Sequence, residues 1–379
     1  MKAGFLPYFQ PLIGEEEIEE VMDTLKSGWL SMGPKTVKFE ELIAEYTGAK
    51  EAIAVSSCTA ALHVSLITLG IGKGDEVITT PFTFAATGNV VIHVGAKPVF
   101  VDIKRDTYNI DPEKIEEAVT RQTKAIMPVH YAGQACDMEA ITEIAQRHDL
   151  YVIEDAAHAI GAEYQGRKVG TISDTTCFSF YATKNITTGE GGAITTSDGK
   201  LAEKLRVLRL HGISKDAWKR YLAEVSWYYE IQDCGWKYNM SDIQAALGIP
   251  QLKKLDGFIE TRRKYAKIYN EEFGKIEGII TPYEKPGVKH VYHLYPILLE
   301  AFDRDEFIER MAKKGIGCSV HFIPLHLHPF YRDRFGFEKG DFPNAKWVYE
   351  REASLPLYPR MSEEDVWLVI DAVKEILQV

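Results

Sequence analysis

Lys184 lies in the stretch Phe178-Ser-Phe-Tyr-Ala-Thr-Lys-Asn-Ile-Thr-Thr-Gly-Glu-Gly-Gly192, where an apolar run hands one amine to a turn rich in hydroxyls and glycine. A lysine near its ordinary pKa of ~10.4 is protonated and a poor nucleophile. Partial desolvation beside a carbonyl partner frees the amine and lets it form a Schiff base. The competing reading is a solvated surface charge, of which a chain with 44 Lys and Arg has many. The case for Lys184 therefore rests on what else the chain supplies.

Three upstream features complement it. Val55-Ser-Ser-Cys-Thr-Ala-Ala-Leu62 runs from a strand through a turn into a helix, whose first-turn N–H groups and hydroxyls suit a phosphate. Alone it reads as a Ser/Thr helix cap. Thr80-Pro-Phe-Thr-Phe84 offers an aromatic ring to a flat cofactor, or to the core. Glu154-Asp-Ala-Ala-His158 closes a hydrophobic strand, and a poorly solvated carboxylate there wants a cationic partner. A protonated pyridine nitrogen is such a partner, and an aspartate on it makes the ring a stronger electron sink. His158 could bond a ring substituent or steady Asp155; by itself Asp-x-x-His is equally a cap with a satisfied histidine. Phosphate cradle, stacking aromatic, pyridinium-pairing Asp155 and Schiff-base Lys184, in that chain order, together specify pyridoxal 5'-phosphate.

These groups need a scaffold that brings strand ends together. From residue 52 short β-rich runs at 52–55, 76–79, 98–103, 125–129 and 151–155 are separated by stretches long enough for crossover helices. That alternation predicts an α/β fold with a mostly parallel sheet covered on both faces, completed by runs at 175–180 and 192–196. Chemistry should gather where strands end and helices begin. Before the sheet, Ile18, Val21, Met22 and Leu25 take helical spacing beside a glutamate run read as a solvated face, and a second helix carries Phe39, Leu42, Ile43 and Tyr46. A long helix is expected from Ser241 or Asp242. Beyond about residue 250 the pattern predicts strands at 291–299 and 317–322, a helix over 304–314, and a last helix capped at Ser362. The expected division is 1–249 for an arm and large domain and 250–379 for a smaller C-terminal α/β domain.

The totals exclude some classes. A formal net charge of −11 argues against a nucleic-acid binder. Five scattered cysteines without a Cys-x-x-Cys pair fit reduced thiols in a cytoplasm. The N-terminus carries no basic segment followed by an apolar one, and no apolar run reaches the length of a membrane span. Gly70-Ile-Gly-Lys-Gly74 lacks the third glycine of a dinucleotide fingerprint and reads as a turn. His321, His326 and His328 lack the spacing and support of a metal site. The aromatics at 227–229 suit a nucleotide base or simple packing.

The chain resembles the DegT-type sugar-nucleotide aminotransferases, pyridoxal-phosphate enzymes of fold type I, and within them the group that makes UDP-4-amino-4-deoxy-L-arabinose. The resemblance spans nearly the whole chain and is carried by Ser57-Cys-Thr-Ala-Ala61, Pro128-Val-His-Tyr-Ala-Gly133, Ile153-Glu-Asp-Ala-Ala-His-Ala159, Phe178-Ser-Phe180, Lys184-Asn185, Gly189-Glu-Gly-Gly192 and Lys237-Tyr-Asn-Met-Ser-Asp-Ile-Gln-Ala-Ala-Leu247. It implies that Thr59, Ala60 and Ser179 bind the cofactor phosphate and that Asn239 reaches the phosphate of a neighbouring subunit in a homodimer with shared sites. It places Phe84 on the pyridoxal ring, Asp155 on the ring nitrogen, His158 near the ring oxygen, Lys184 in the Schiff base and His326 on the sugar nucleotide. Glutamate is the implied amino donor, pyridoxamine phosphate the intermediate cofactor form, and a nucleotide-linked keto sugar, with the ketone at C-4, the acceptor. Tyr181 and Phe84 stand where the arabinose enzymes have histidine and tryptophan, so Tyr181 bears on the choice of sugar. A ketone at C-3, a small amino-acid substrate, and a regulator without turnover are the competing readings.

Overall fold

The computed structural model describes residues 4–213 and 229–378. Of the aromatic stretch 227–229, only Tyr229 falls within them. Two helices come first, α1 (Glu15–Ser27) and α2 (Pro34–Thr47). Strands and helices then alternate as β1 (Glu51–Val55), α3 (Cys58–Thr68), β2 (Glu76–Thr79), α4 (Ala85–His93), β3 (Lys97–Phe100), α5 (Pro112–Ala118), β4 (Thr123–Ile126), α6 (Met138–His148) and β5 (Tyr151–Asp155). The short strands β6 (Glu163–Tyr164) and β7 (Arg167–Lys168) precede β8 (Thr175–Ser179), β9 (Gly192–Thr196) and α7 (Gly199–Leu208).

The large sheet has seven strands in the order β1-β9-β8-β5-β4-β2-β3, and only β9 runs against the rest. Successive side chains on a strand point to opposite faces, and the core divides accordingly. Ala52, Ala54, Ile78, Ile126 and Val152 join one cluster with α2 and α6, while Ile53, Val77, Ala125 and Ile153 join the other with α3 and α7. Both faces are covered, as near-continuous apolar strands require. Asp155 ends β5, Ser179 ends β8, and the turns after β1 and β2 carry Thr59 and Phe84 to the same edge.

The second half begins with α8 (Asp242–Phe273), followed by β10 (Ile279–Ile280), β11 (Val288–Lys289), β12 (Tyr295–Leu299), α9 (Arg304–Lys313), α10 (Pro329–Phe335), α11 (Pro343–Tyr349), β13 (Glu352–Leu355) and α12 (Glu363–Leu377). Ser241 caps α8 in a reciprocal pair with Gln244, and Ser362 caps α12 the same way with Asp365. The 249/250 division falls inside α8. Residues up to Ile259 pack in the large core, and Tyr265, Ala266, Tyr269 and Phe273 pack in the small one against β12, β13 and α12.

Four local expectations are corrected. The glutamate run on α1 is not wholly solvated: Glu17 is fully buried, accepts from Gly14 N–H and Gln251, and pairs with Lys254 of α8 at 2.8 Å. The helix consequently turns Ile18, Met22 and Leu25 outward. The arm joins the small half, because Leu6 exchanges backbone hydrogen bonds with Gly315 and Gly317 and packs in that core. Segment 317–322 makes only one isolated bridge, Ser319 to Ser354, because the N–H and C=O of His321 bond side chains. The run 291–299 is strand only from Tyr295, and its first residues form a loop carrying His293.

Candidate active site

The strand ends open into a cavity of about 560 Å³ lined by Thr59, Phe84, Asp155, His158, Ser179, Tyr181 and Lys184. Seven of the ten sequence-selected residues thus meet in one place. The small half closes the other side with His293, Ser319, His321, Phe322 and Leu357, and the arm adds Tyr8 and Phe9.

Lys184 follows β8 in a tight turn in which its N–H donates to Tyr181 C=O at 2.9 Å. The side chain is half-buried, but its amine is shielded from water, and desolvation pulls its pKa down to about 8. Asp155 is buried at the floor, where Oδ2 accepts from Thr87 Oγ1 at 2.7 Å and Oδ1 from Ala157 N–H at 3.2 Å. Burial raises its pKa despite those bonds. Glu154, its neighbour on β5, faces the other side, where His130 Nε2 lies 2.6 Å away and Ser173 and Thr176 donate hydroxyls. Cys136 N–H donates to His130 Nδ1, so the ring gives its own hydrogen to Glu154.

Three imidazoles line the cavity. His158 and His293 have centroids 4.4 Å apart, and Phe322 stacks on His158 at 5.9 Å. Burial and the Lys184 charge hold His158, His293 and His321 below the ordinary histidine range. His293 Nδ1 meets Asn185 Oδ1 at 3.2 Å, whereas His158 Nδ1 is buried without a protein partner.

At the opposite end, Ser57 caps α3 by accepting from Ala60 N–H at 3.0 Å. Backbone bonding inside α3 starts only at Ala61, so the N–H groups of Cys58 and Thr59 face the cavity end unclaimed. Ala60 does not line the cavity, and its N–H is held by Ser57. Asn239 does not line it either: Nδ2 donates to Met240 C=O, and Oδ1 is buried without a partner. His326 lies apart, buried edge-on against Phe342 at 4.8 Å. The family resemblance points to His326, whereas it is His321, in the same His-rich segment, that reaches the cavity.

Pyridoxal phosphate fits this donor set. Asp155 is a buried acceptor facing the cavity without an ion-pair partner among the described residues, His158 Nδ1 is an orphaned buried atom, and Phe84 is 64% exposed at the mouth. A ring with a protonated nitrogen answers all three. The phosphate end is served by helix N–H groups and Ser179. Residues without a local signal also contribute. Thr87 is a helix-face threonine, and Arg262 of α8 reaches the carbonyls of Tyr292, His293 and Leu357 to fix the His293 loop.

Comparison with known proteins agrees with this geometry. Residues 11–374 match the profile of the DegT/DnrJ/EryC1/StrS aminotransferase family. The chain is 64% identical to the uncharacterized protein MJ1066 of Methanocaldococcus jannaschii, covering 100% of this chain and 99% of that one. It is 54% identical to the spore coat polysaccharide biosynthesis protein SpsC of Bacillus subtilis, covering 99% and 97%. Among solved structures, the PMP-form of the putative sugar aminotransferase Spr1654 from Streptococcus pneumoniae superimposes with a TM-score of 0.93 at 35% identity, covering 98% and 99%. The PLP-form of the same protein gives 0.92.

Proposed function

The chain belongs to the DegT/DnrJ/EryC1/StrS aminotransferase family, and from that membership we propose that it transfers an amino group from glutamate to C-4 of a nucleotide-linked keto sugar. It is a pyridoxal-phosphate-dependent sugar aminotransferase of fold type I. Within the family we place it beside the enzymes forming UDP-4-amino-4-deoxy-L-arabinose, with Tyr181 and Phe84 as the departures that bear on the sugar. The polysaccharide role in the name of the Bacillus relative supports a glycan precursor as product.

The carrying observation is the pair of Lys184 and Asp155 in one cavity, the amine kept reactive by desolvation and the carboxylate kept in place by Thr87 and Ala157. When bound, pyridoxal phosphate supplies the electron-withdrawing ring and the carbon through which the amino group changes hands. The N–H groups of Cys58 and Thr59 and the Ser179 hydroxyl receive the phosphate. Asp155 would hold a proton on the ring nitrogen, and Phe84 would lie against the ring. Lys184 Nζ is the group placed to take a proton from the carbon bearing the donor's amino group and to hand it on within the cavity. In the second stage it does the reverse on the sugar. Tyr8, Phe9, Phe322 and Leu357 exclude water from that exchange.

We also propose a cytoplasmic homodimer whose sites are shared. The outward apolar face of α1 supports it. No helix among the described residues is long and apolar enough to cross a membrane. The test is amino transfer from glutamate to a panel of UDP- and dTDP-linked 3- and 4-keto sugars, followed by identification of the aminated carbon. Amination at C-3, or transfer only to small keto acids, would refute the assignment.

A further inference from the structure

Segment 317–322 forgoes a strand ladder, and in exchange three of the four polar groups of His321 are fastened. Its N–H donates to Glu352 Oε2 at 2.8 Å, its C=O accepts from Tyr131 at 2.6 Å, and its Nδ1 lies 2.9 Å from Ser354 Oγ. Tyr131 belongs to the large half, and Glu352 and Ser354 belong to β13, so the ring is held from both sides of the cavity it lines. Nε2 is the remaining polar atom, without a protein partner among the described residues.

The other end of this chain of bonds decides what Nε2 carries. Glu352 and Ser354 are fully buried, with Oε1 and Oγ 2.5 Å apart. The charge of Arg304 reaches Glu352, but its guanidinium donates to the carbonyls of Tyr349 and Glu352 and to Asp305, not to that carboxyl. Tyr8, Tyr108, Tyr131, Cys318 and His321, the other titratable groups that face it, are uncharged near neutrality. A buried carboxyl with no ion-pair partner keeps its proton, and burial pushes Glu352 up to about 8. To a carboxylate Ser354 donates at Oε1, but once Oε1 carries the proton that 2.5 Å bond reverses: the carboxyl donates to Ser354 Oγ, the Ser354 hydrogen goes to His321 Nδ1, and the imidazole hydrogen sits on Nε2.

We propose that His321 binds the sugar, presenting a neutral Nε2–H donor to an uncharged hydroxyl or carbonyl oxygen, with Glu352 and Ser354 as the positioning residues that set this tautomer. The proposal rests on the sugar-transfer reading above. The amino donor shares the cavity in its own stage, but a carboxylate is matched by a cation in fork geometry. No arginine lines this cavity among the described residues. A neutral N–H suits the uncharged oxygens of a sugar.

Two measurements test it. In apoprotein labelled with 15N-histidine, with His321→Gln to assign the ring signals, His321 should carry its hydrogen on Nε2 at pH 7. Raising the pH through 8 should move wild type toward the Nδ1–H form. Glu352→Gln, whose amide can still donate to Ser354, should hold the Nε2–H form at pH 9. An Nδ1–H ring at pH 7 overturns the proposal without reference to any substrate. In the holoenzyme, His321→Ala should lower kcat/KM in the sugar half-reaction on the order of tenfold to a hundredfold. The glutamate half-reaction should stay within about threefold, and His321→Gln, which restores an N–H donor, should recover part of the loss. Equal losses in both halves, or none, overturn the role of His321. A wild type that aminates none of the sugar panel overturns the substrate reading instead, which is a different result from a working wild type matched by its alanine variant.

Discussion

Thr87 Oγ1 donates a 2.7 Å hydrogen bond to Asp155 Oδ2, joining α4 to the end of β5 beneath the cavity. Burial raises the Asp155 pKa, and the Thr87 bond is the strongest influence opposing that rise. Thr87→Val keeps the bulk but removes the bond, so the carboxyl moves further up and the acidic limb of the kcat/KM profile shifts to higher pH. Thr87→Ser should leave the limb in place. Asp155→Asn should still bind the cofactor while slowing turnover roughly a hundredfold or more. A Val variant with an unmoved limb would detach that limb from Asp155.

Lys184 makes two claims that separate chemistry from stability. Lys184→Ala should lose turnover together with the absorbance of lysine-linked cofactor. In the apoprotein the same amine is a liability, because its pKa is depressed to about 8 in the fold. The unfolded chain binds that proton more tightly, so the cost is present in full below pH 8 and disappears as pH rises from 8 toward the unfolded lysine value of ~10.4. Lys184→Met should therefore stabilise the apoprotein by about 1–3 kcal/mol at pH 7. Denaturant titrations should show the gap closing above pH 8. A gap that is independent of pH would mean the effect is packing.

The pattern of strands and the residues that end them was legible because both signals are local. A β-rich run that stops at Asp155 or Ser179 declares the sheet edge and the chemistry in the same few residues. His321 was not legible in that way. Its segment alternates like a strand, but its backbone groups are claimed by Glu352 and Tyr131, which lie 31 and 190 residues away in sequence. The stripe on α1 was read correctly as helical, yet which side is buried depends on Glu17 meeting Lys254 and Gln251 of α8, an event 237 and 234 residues off. Thr87 and Arg262 carry no motif at all, and only the fold brings them under the site.

The outward face of α1 leads to a test of assembly. Ile18, Met22 and Leu25 are exposed at 45%, 44% and 53%, an arrangement that a second copy of the chain would cover. Charging that face with Ile18→Glu and Met22→Glu should lower the mass measured by light scattering at micromolar concentration from dimer to monomer. Far-UV circular dichroism should be unchanged, because neither side chain belongs to a buried core cluster. If sites are shared as proposed, amino transfer should fall with the mass. A doubly charged variant that keeps the dimer mass would remove α1 from the interface.

Tyr181 is the place where the sugar can be tested without disturbing the rest. Its side chain is 46% exposed and lines the cavity, whereas the bond that shapes the turn uses only its backbone carbonyl, which accepts from Lys184 N–H. Tyr181→His should therefore change folding stability by no more than about 0.5 kcal/mol. The glutamate half-reaction touches the same lysine but not the sugar, so its rate should be preserved. Discrimination among UDP- and dTDP-linked keto sugars should change by about tenfold or more, because a ring that donates from nitrogen replaces a phenol at the mouth. Competition between two sugars in one vessel reads the ratio of kcat/KM directly. A uniform fall for every sugar would place Tyr181 in the turn that holds Lys184; a changed ratio with an intact glutamate stage places it on the sugar.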